Sequence, residues 1–253
     1  RASLDFTKEV RVAAERLGAD GVAKARWTGK AGLQMEARLF DVRSGGRLTA
    51  KTYKASGTGG QEAAPTNDKT SGVTREFVHS TRQIVHRWAD EIHRRYTGRP
   101  GIAHSRIAFV SDETGFKEIH LVDYDGLGFR RLTGHKSIAL LPRWTADGRR
   151  ICYTSYAEGN PDLMLLDPET AAPRPFVVRH GLNATAAWSP DGKSVVITTT
   201  FTGDPELALL TSEGRMIRRL THSRGADTSP AWSPNGRDLV FTSDRGGSPA
   251  LYL

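Results

Sequence analysis

The chain holds a single cysteine, Cys152, in 253 residues. That excludes a disulfide framework and any cysteine-based zinc site. No apolar run approaches the ~20 residues that a membrane-spanning helix needs, and mean hydropathy is −0.46, which argues against direct membrane insertion. The G-x-S-x-G, H-E-x-x-H and P-loop signatures are all missing, and with them the short-motif signs of serine hydrolases, zinc peptidases and nucleotide hydrolases. The chain opens on RASLDFTKEV, without an initiator methionine or a signal-like apolar stretch, and reads as a mature or trimmed product. Acidic residues are scarce in one region only. Residues 1–103 hold 19 Lys/Arg against 11 Asp/Glu, whereas residues 104–253 hold 17 of each. The basic residues are interspersed with acids and not clustered with aromatics, so they describe a solvated basic surface and no nucleic-acid site.

What the sequence does have is a repeat. Trp144, Trp188 and Trp232 each head a similar segment, RWTADG, AWSPDG and AWSPNG, at a spacing of 44 residues. Asp123, Asp167 and Thr211 keep the same spacing, as do Thr133, Val177 and Thr221. After each tryptophan comes an Asp-Gly or Asn-Gly pair, whose tolerance of positive φ makes it a strong hairpin signal. A β-branched or aromatic run follows (ICYT, VVIT, LVFT), then a Gly/Pro-bearing turn, a third apolar run and a fourth. Four short strands per ~44 residues are the signature of a propeller blade. The three tryptophans are expected at equivalent buried positions on the innermost strands.

The array is expected to begin at the second strand of its first blade, Arg106–Val110, because nothing 44 residues before Trp144 matches the repeat. It runs to Leu253 inside a third strand, giving about three and a half blades, which reads as a piece of a longer protein. Residues 1–98 have another rhythm. A helix is predicted over 5–17, strands over 22–28, 33–42 and 47–54, a Gly/Ser/Thr-rich loop over 56–72, and a helix over 73–96. In that last helix Phe77, Thr81, Ile84, Trp88 and Ile92 form one apolar stripe. The fold class is therefore α+β in two domains: a small N-terminal α/β domain, residues 1–98, and an incomplete β-propeller, residues 104–253.

Little of this demands catalysis. His79, His86 and His93 recur every seven residues on the polar side of the second helix, ~10 Å apart along its axis, too far to share a metal. His104, His120, His135, His180 and His222 do not fall in one blade register, which counts against a ring of metal ligands such as a propeller lyase would use. Asp147, Asp191 and Asn235 are explained as turn formers, and Cys152, in an apolar strand, as a packed thiol. No cofactor and no metal are expected. A propeller of this kind reads as a binding platform.

The units AWSPDGKSVVITT and AWSPNGRDLVFTSDRGGSPALYL resemble the propeller repeats of the TolB family, the periplasmic component of the Tol–Pal system. The junction SRIAFVSDETGFKEIHLVDYDG resembles the start of that propeller. The upstream LGADGVAKARWTG, LQMEARLFDVRSGG and AKTYKA, followed by a helix, are similar to the second half of that family's N-terminal domain. The resemblance implies a non-enzymatic periplasmic role in outer-membrane integrity and cell division. The propeller would bind the peptidoglycan-associated lipoprotein Pal, and the N-terminal region would engage inner-membrane Tol proteins, although the segment that contacts them lacks a match here. In that family Pal is met by loops entering the first strands of the blades. By position, this implies His180, Thr185 and Thr228 as partner-binding residues; the loop of His180 carries about two extra residues before Trp188. The alternative is the gating propeller of a prolyl-oligopeptidase-like serine peptidase, which would need a further domain bearing G-x-S-x-G.

Overall fold

The computed structural model describes residues 19–28, 34–54, 75–201 and 203–253, with the backbone alone for 26–28 and 75–80. The helix expected over 5–17 and the loop expected over 56–72 lie outside the described residues. The chain divides into two compact units, Arg1–Ser105 and Arg106–Leu253.

In the first unit β1 (Gly21–Thr28), β2 (Gln34–Asp41) and β3 (Arg47–Lys54) form an antiparallel meander, β1-β2-β3. Alternation along β2 sends Met35, Ala37 and Leu39 to the buried face, as period-two geometry requires. Helix α1 (Arg75–Thr97) lays Ile84 against Met35 and Ala37, with Trp88 and Tyr53 at the margin. Tyr53 donates to Glu91 at 2.7 Å, and Lys51 pairs with the other oxygen of the same carboxylate at 2.7 Å. Of the three helix histidines, His93 is exposed and His86 half-buried; the side chain of His79 lies outside the described residues.

The second unit is a stack of antiparallel sheets that form propeller blades. Blade one holds β4 (Arg106–Ser111), β5 (Glu118–Asp123) and β6 (Arg130–Arg131). Blade two holds β7 (Ala139–Trp144), β8 (Ile151–Ser155), β9 (Asp162–Leu166) and β10 (Pro173–Val177). Blade three holds β11 (Asn183–Trp188), β12 (Ser194–Thr199), β13 (Glu206–Thr211) and β14 (Met216–Arg219). Blade four holds β15 (Asp227–Trp232), β16 (Leu239–Ser243) and β17 (Ala250–Tyr252). Each sheet runs in chain order, and β4 pairs with β5 in the place that second strands take elsewhere. First strands approach one another from blade to blade, β7 with β11 and β11 with β15, which puts them on the inner side of the stack.

The 44-residue period is a period of conformation as well as of residues. The hairpin after each tryptophan is built the same way three times. The hydroxyl of Thr145, Ser189 or Ser233 donates to Asp147, Asp191 or Asn235 at 2.5–2.6 Å. The same side chains then accept from the backbone of Arg149, Lys193 and Arg237 at 3.0, 3.1 and 2.9 Å. These are the turn formers expected of that position. The inner strands share a feature that no sequence signal announces. Each has a β-bulge, and Leu141, Thr185 and Ser229, 44 residues apart, sit there at φ of 56°, 50° and 54°. Left-handed geometry at a non-glycine residue costs of order 1 kcal/mol or more, and it persists because neighbouring structure over-determines it.

Three apolar clusters hold the blades together. One joins blades one and two through Ile119, Leu121, Ile151 and Tyr153. A second joins blades two and three through Cys152, Leu165, Val195 and Ile197, and a third joins three and four through Val196, Leu207 and Phe241. Trp144, Trp188 and Trp232 end the inner strands and pack on these clusters in equivalent positions. All three are half-buried, where buried positions were expected. The cause is their place at the strand end, where the ring closes the cluster and its edge meets the adjoining turns. Cys152 is fully buried, and burial pushes its thiol up to about 12, as a packed thiol requires.

Candidate partner-binding face

The chain enters each inner strand through a connection from the preceding blade: residues 132–138, 178–182 and 220–226. These three segments lie at one end of the blades. Their sequences, LTGHKSI, VRHGL and LTHSRGA, contain His135, Lys136, Arg179, His180, His222 and Arg224 but no carboxylate. Carboxylates at this end belong instead to the neighbouring turns, at Asp112, Glu113, Glu158, Asp204 and Asp244. The entry loops therefore form a run of positive and titratable side chains across adjacent blades.

Buried carboxylates beneath the loops hold them in shape. The first residue of each third-strand position is acidic and buried: Glu118, Asp162 and Glu206, again 44 apart. Glu118 accepts from the Thr133 hydroxyl and from the backbone N–H of Lys136 at 3.1 Å. Asp162 accepts from the side-chain amides of Asn160 and Asn183 at 2.7 and 3.1 Å, and from the backbone N–H of Arg179 at 3.4 Å. Glu206 accepts from the Thr221 hydroxyl, from the backbone N–H of Ser223 at 2.9 Å and from Arg219 at 3.4 Å. A buried carboxylate without such donors would cost several kcal/mol; with them it clasps the following loop 17 or 18 residues along the chain. In blade four the clasp comes from the inner strand itself. Asp227, fully buried, accepts from Arg245 at 2.6 Å and from Ser223 at 3.2 Å. Burial pushes its carboxyl up, but the nearby hydroxyls of Ser243 and Thr221 and the charge of Arg245 outweigh that and hold it below the ordinary value.

The three residues singled out from the sequence fall on this end, in unlike settings. His180 is exposed on the loop before β11, and its ring makes no hydrogen bond with a described residue. Thr185 is the left-handed bulge residue of β11, half-buried, with its hydroxyl 2.6 Å from that of Thr198. Thr228 is half-buried, the second residue of β15 and paired with Thr242. Thr185 and Thr228 thus lie on neighbouring inner strands, but one register step apart: the counterpart of Thr185 is Ser229, and that of Thr228 is Ala184. Sequence reasoning did not single out Lys136, Arg179, Arg224 or the buried carboxylates. The signal was there, in the absence of acids from three corresponding segments and in the 44-residue spacing of Glu118, Asp162 and Glu206.

Among the described residues no cluster of three or more His, Cys, Asp or Glu is arranged to hold a metal ion, and no helix is long and apolar enough to cross a membrane.

Comparison with known proteins places this geometry. The family model described as the TolB beta propeller domain matches residues 93–253. The Tol-Pal system protein TolB of Desulfosudis oleivorans is 36% identical over 133 residues, 53% of this chain and 26% of that protein. The Tol-Pal system protein TolB of Anaeromyxobacter sp. (strain K) is 37% identical over 148 residues, 58% of this chain and 29% of that protein. The crystal structure of TolB from Acinetobacter baumannii is 27% identical and superposes with a TM-score of 0.71, covering 96% of this chain and 57% of that one. The matches thus span between a quarter and three tenths of these two relatives, and somewhat over half of the solved structure.

Proposed function

The chain belongs to the TolB β-propeller family, and from that premise we propose that it is a non-enzymatic protein-binding platform of a Tol–Pal cell-envelope system, working in the periplasm and docking a Pal-type lipoprotein domain on the loops that enter its inner strands. The observation that carries the reading is the construction of those loops. They present Lys136, Arg179, His180, His222 and Arg224 and carry no acid of their own, and buried carboxylates fix the backbone of each loop before any partner arrives. A preformed surface of this kind loses little entropy on binding. Its charge selects a partner that offers an acidic patch and speeds the encounter. Thr185 and Thr228, half-buried on adjacent inner strands, supply the central contacts, and His180 an outer one. Engagement of inner-membrane Tol proteins, and a contribution to outer-membrane integrity and division, follow from the same assignment.

Calorimetric titration with the soluble domain of a Pal lipoprotein tests the proposal. Thr228→Asp puts an unpaired carboxylate into the contact and should weaken binding by ~2–5 kcal/mol. His180→Ala, at an exposed position where folding is insensitive, should cost ~1 kcal/mol through a lost polar contact. Absence of binding by the parent chain would remove the functional assignment. Parent-like affinity in both variants would remove the site.

A further inference from the structure

The opposite end of the blades carries a second device, visible when two interfaces are laid over each other at the 44-residue step. Between blades one and two, Glu169 reaches from the β9–β10 turn to two arginines of the preceding blade: Arg106 at 2.5 Å and Arg130 at 3.4 Å. The Arg106 guanidinium lies 5.4 Å from the Trp144 ring centroid. Burial raises the Glu169 carboxyl, but the two arginines outweigh that and hold it below the ordinary value. Moving each residue on by 44 gives Arg150, Arg174, Glu213 and Trp188. The same four residue types recur at the interface of blades two and three, and there the carboxylate does not arrive. The β13–β14 turn is one residue shorter: it closes Thr211 onto Arg215, where the preceding one closes Asp167 onto Ala172. Gly214 packs it against the Phe176 carbonyl, so closely that a Cβ there would lie 2.8 Å from that oxygen. Glu213 instead accepts from the Ser212 hydroxyl at 2.6 Å. Neither Arg150 nor Arg174 makes a side-chain hydrogen bond or ion pair with a described residue. What remains is an open cleft of about 560 Å³, with both arginines on its wall and an apolar floor from Phe176 and Trp188, whose rings sit 5.5 Å apart; Asp147, Asp191 and Glu213 also line it, each already accepting from a neighbouring hydroxyl, of Thr145, Ser189 and Ser212.

We propose that this cleft is a second binding site, distinct from the partner-binding face, and that it takes the carboxylate of an acidic residue in a short peptide loop of a partner protein. The first interface shows what such a group does between this pair of arginines, since a glutamate on a tight turn fills the corresponding position from within the chain. Two guanidiniums presented to one carboxylate give charge-assisted hydrogen bonds of the stronger class. The aromatic floor accepts the apolar stem of the acidic side chain.

The chain's own turn supplies the probe. The capped tetrapeptide of residues 167–170, Asp-Pro-Glu-Thr, is titrated into the isotopically labelled protein while the tryptophan indole N–H signals are followed. The Trp188 signal should shift saturably, and that of Trp144, whose arginines are already occupied by Glu169, should stay in place. The peptide with Gln for Glu should bind roughly tenfold more weakly or not at all, and Arg174→Gln or Arg150→Gln should weaken the parent peptide by about the same factor. Both arginines are exposed, so neither variant should change the thermal midpoint appreciably. No saturable shift, equal binding by the Gln peptide, or unchanged affinity in both variants would overturn the proposal. Inorganic phosphate is titrated at matched ionic strength, and binding as tight as the peptide's would overturn the assignment to a carboxylate.

Discussion

Replacing Arg245 by Ala probes the clasp on which the partner-binding face depends. The guanidinium sits 2.6 Å from Oδ2 of a carboxylate that is fully buried, and it also lies 5.3 and 5.0 Å from the rings of Phe241 and Tyr252. Breaking a buried pair from one side costs ~3–5 kcal/mol, because the remaining charge is left without its partner. The Arg245 side chain is 36% exposed, so water screens part of this, and Ser223 still donates to Asp227. A loss of about 2–3 kcal/mol at pH 7 is expected. Asp227→Asn should remove most of that loss in the double variant, giving a coupling free energy of about 2 kcal/mol. The pH dependence has a definite sign. The Asp227 carboxyl lies below the ordinary 3.8 in the folded protein, so its contribution is present above the unfolded value and fades as pH falls through the folded one. Stability from this group should be flat between pH 5 and 7 and drop below about pH 4. In Arg245→Ala the folded value moves up, and the wild-type advantage shrinks on acidification. Urea unfolding followed by tryptophan emission reads this, since Trp144, Trp188 and Trp232 lie in the propeller. A cost below ~0.5 kcal/mol at pH 7, or zero coupling with Asp227→Asn, would refute the role given to the pair.

Two further outcomes follow from the repeat. The Trp232 indole donates to the Ala187 carbonyl at 3.1 Å, whereas the buried Trp188 indole N–H has no acceptor; Trp232→Phe should therefore cost about 1 kcal/mol more than Trp188→Phe in urea unfolding. Gly159 and Gly214 share nearly the same positive φ, 84° and 85°, but a Cβ meets nothing within 4 Å at Gly159 and the Phe176 carbonyl at 2.8 Å at Gly214. Thermal unfolding should show Gly159→Ala losing ~1–2 kcal/mol from strain alone, and Gly214→Ala clearly more.

Much of the fold was legible because the residues that mark a blade are chemically loud. A tryptophan, an Asp-Gly or Asn-Gly pair and a β-branched run recur at fixed spacing, and the three hairpins they encode are built alike. The bulge at Leu141, Thr185 and Ser229 was not legible, since three unlike side chains share one left-handed conformation that the packing of inner strands imposes. Thr185 and Thr228 are implied by the family resemblance, three residues before Trp188 and four before Trp232, and so lie one register step apart on the two strands. The burial of Glu118, Asp162 and Glu206 was hidden by the ordinary expectation that an acid is exposed; what makes burial tolerable is a set of donors that the chain supplies 17 or 18 residues later. The cleft lined by Arg150 and Arg174 was hidden in another way. Its meaning depends on a glutamate present at the equivalent position but turned aside by a loop one residue shorter.

The most direct test of the account is amide hydrogen exchange of the chain with and without the soluble domain of a Pal lipoprotein, because it locates the contact without any substitution. The account predicts new protection confined to residues 132–138, 178–182 and 220–226 and the inner-strand residues that follow them, with the hairpins at 145–150, 189–194 and 233–238 unchanged. Protection centred on those hairpins, or none at saturating lipoprotein domain, would contradict it.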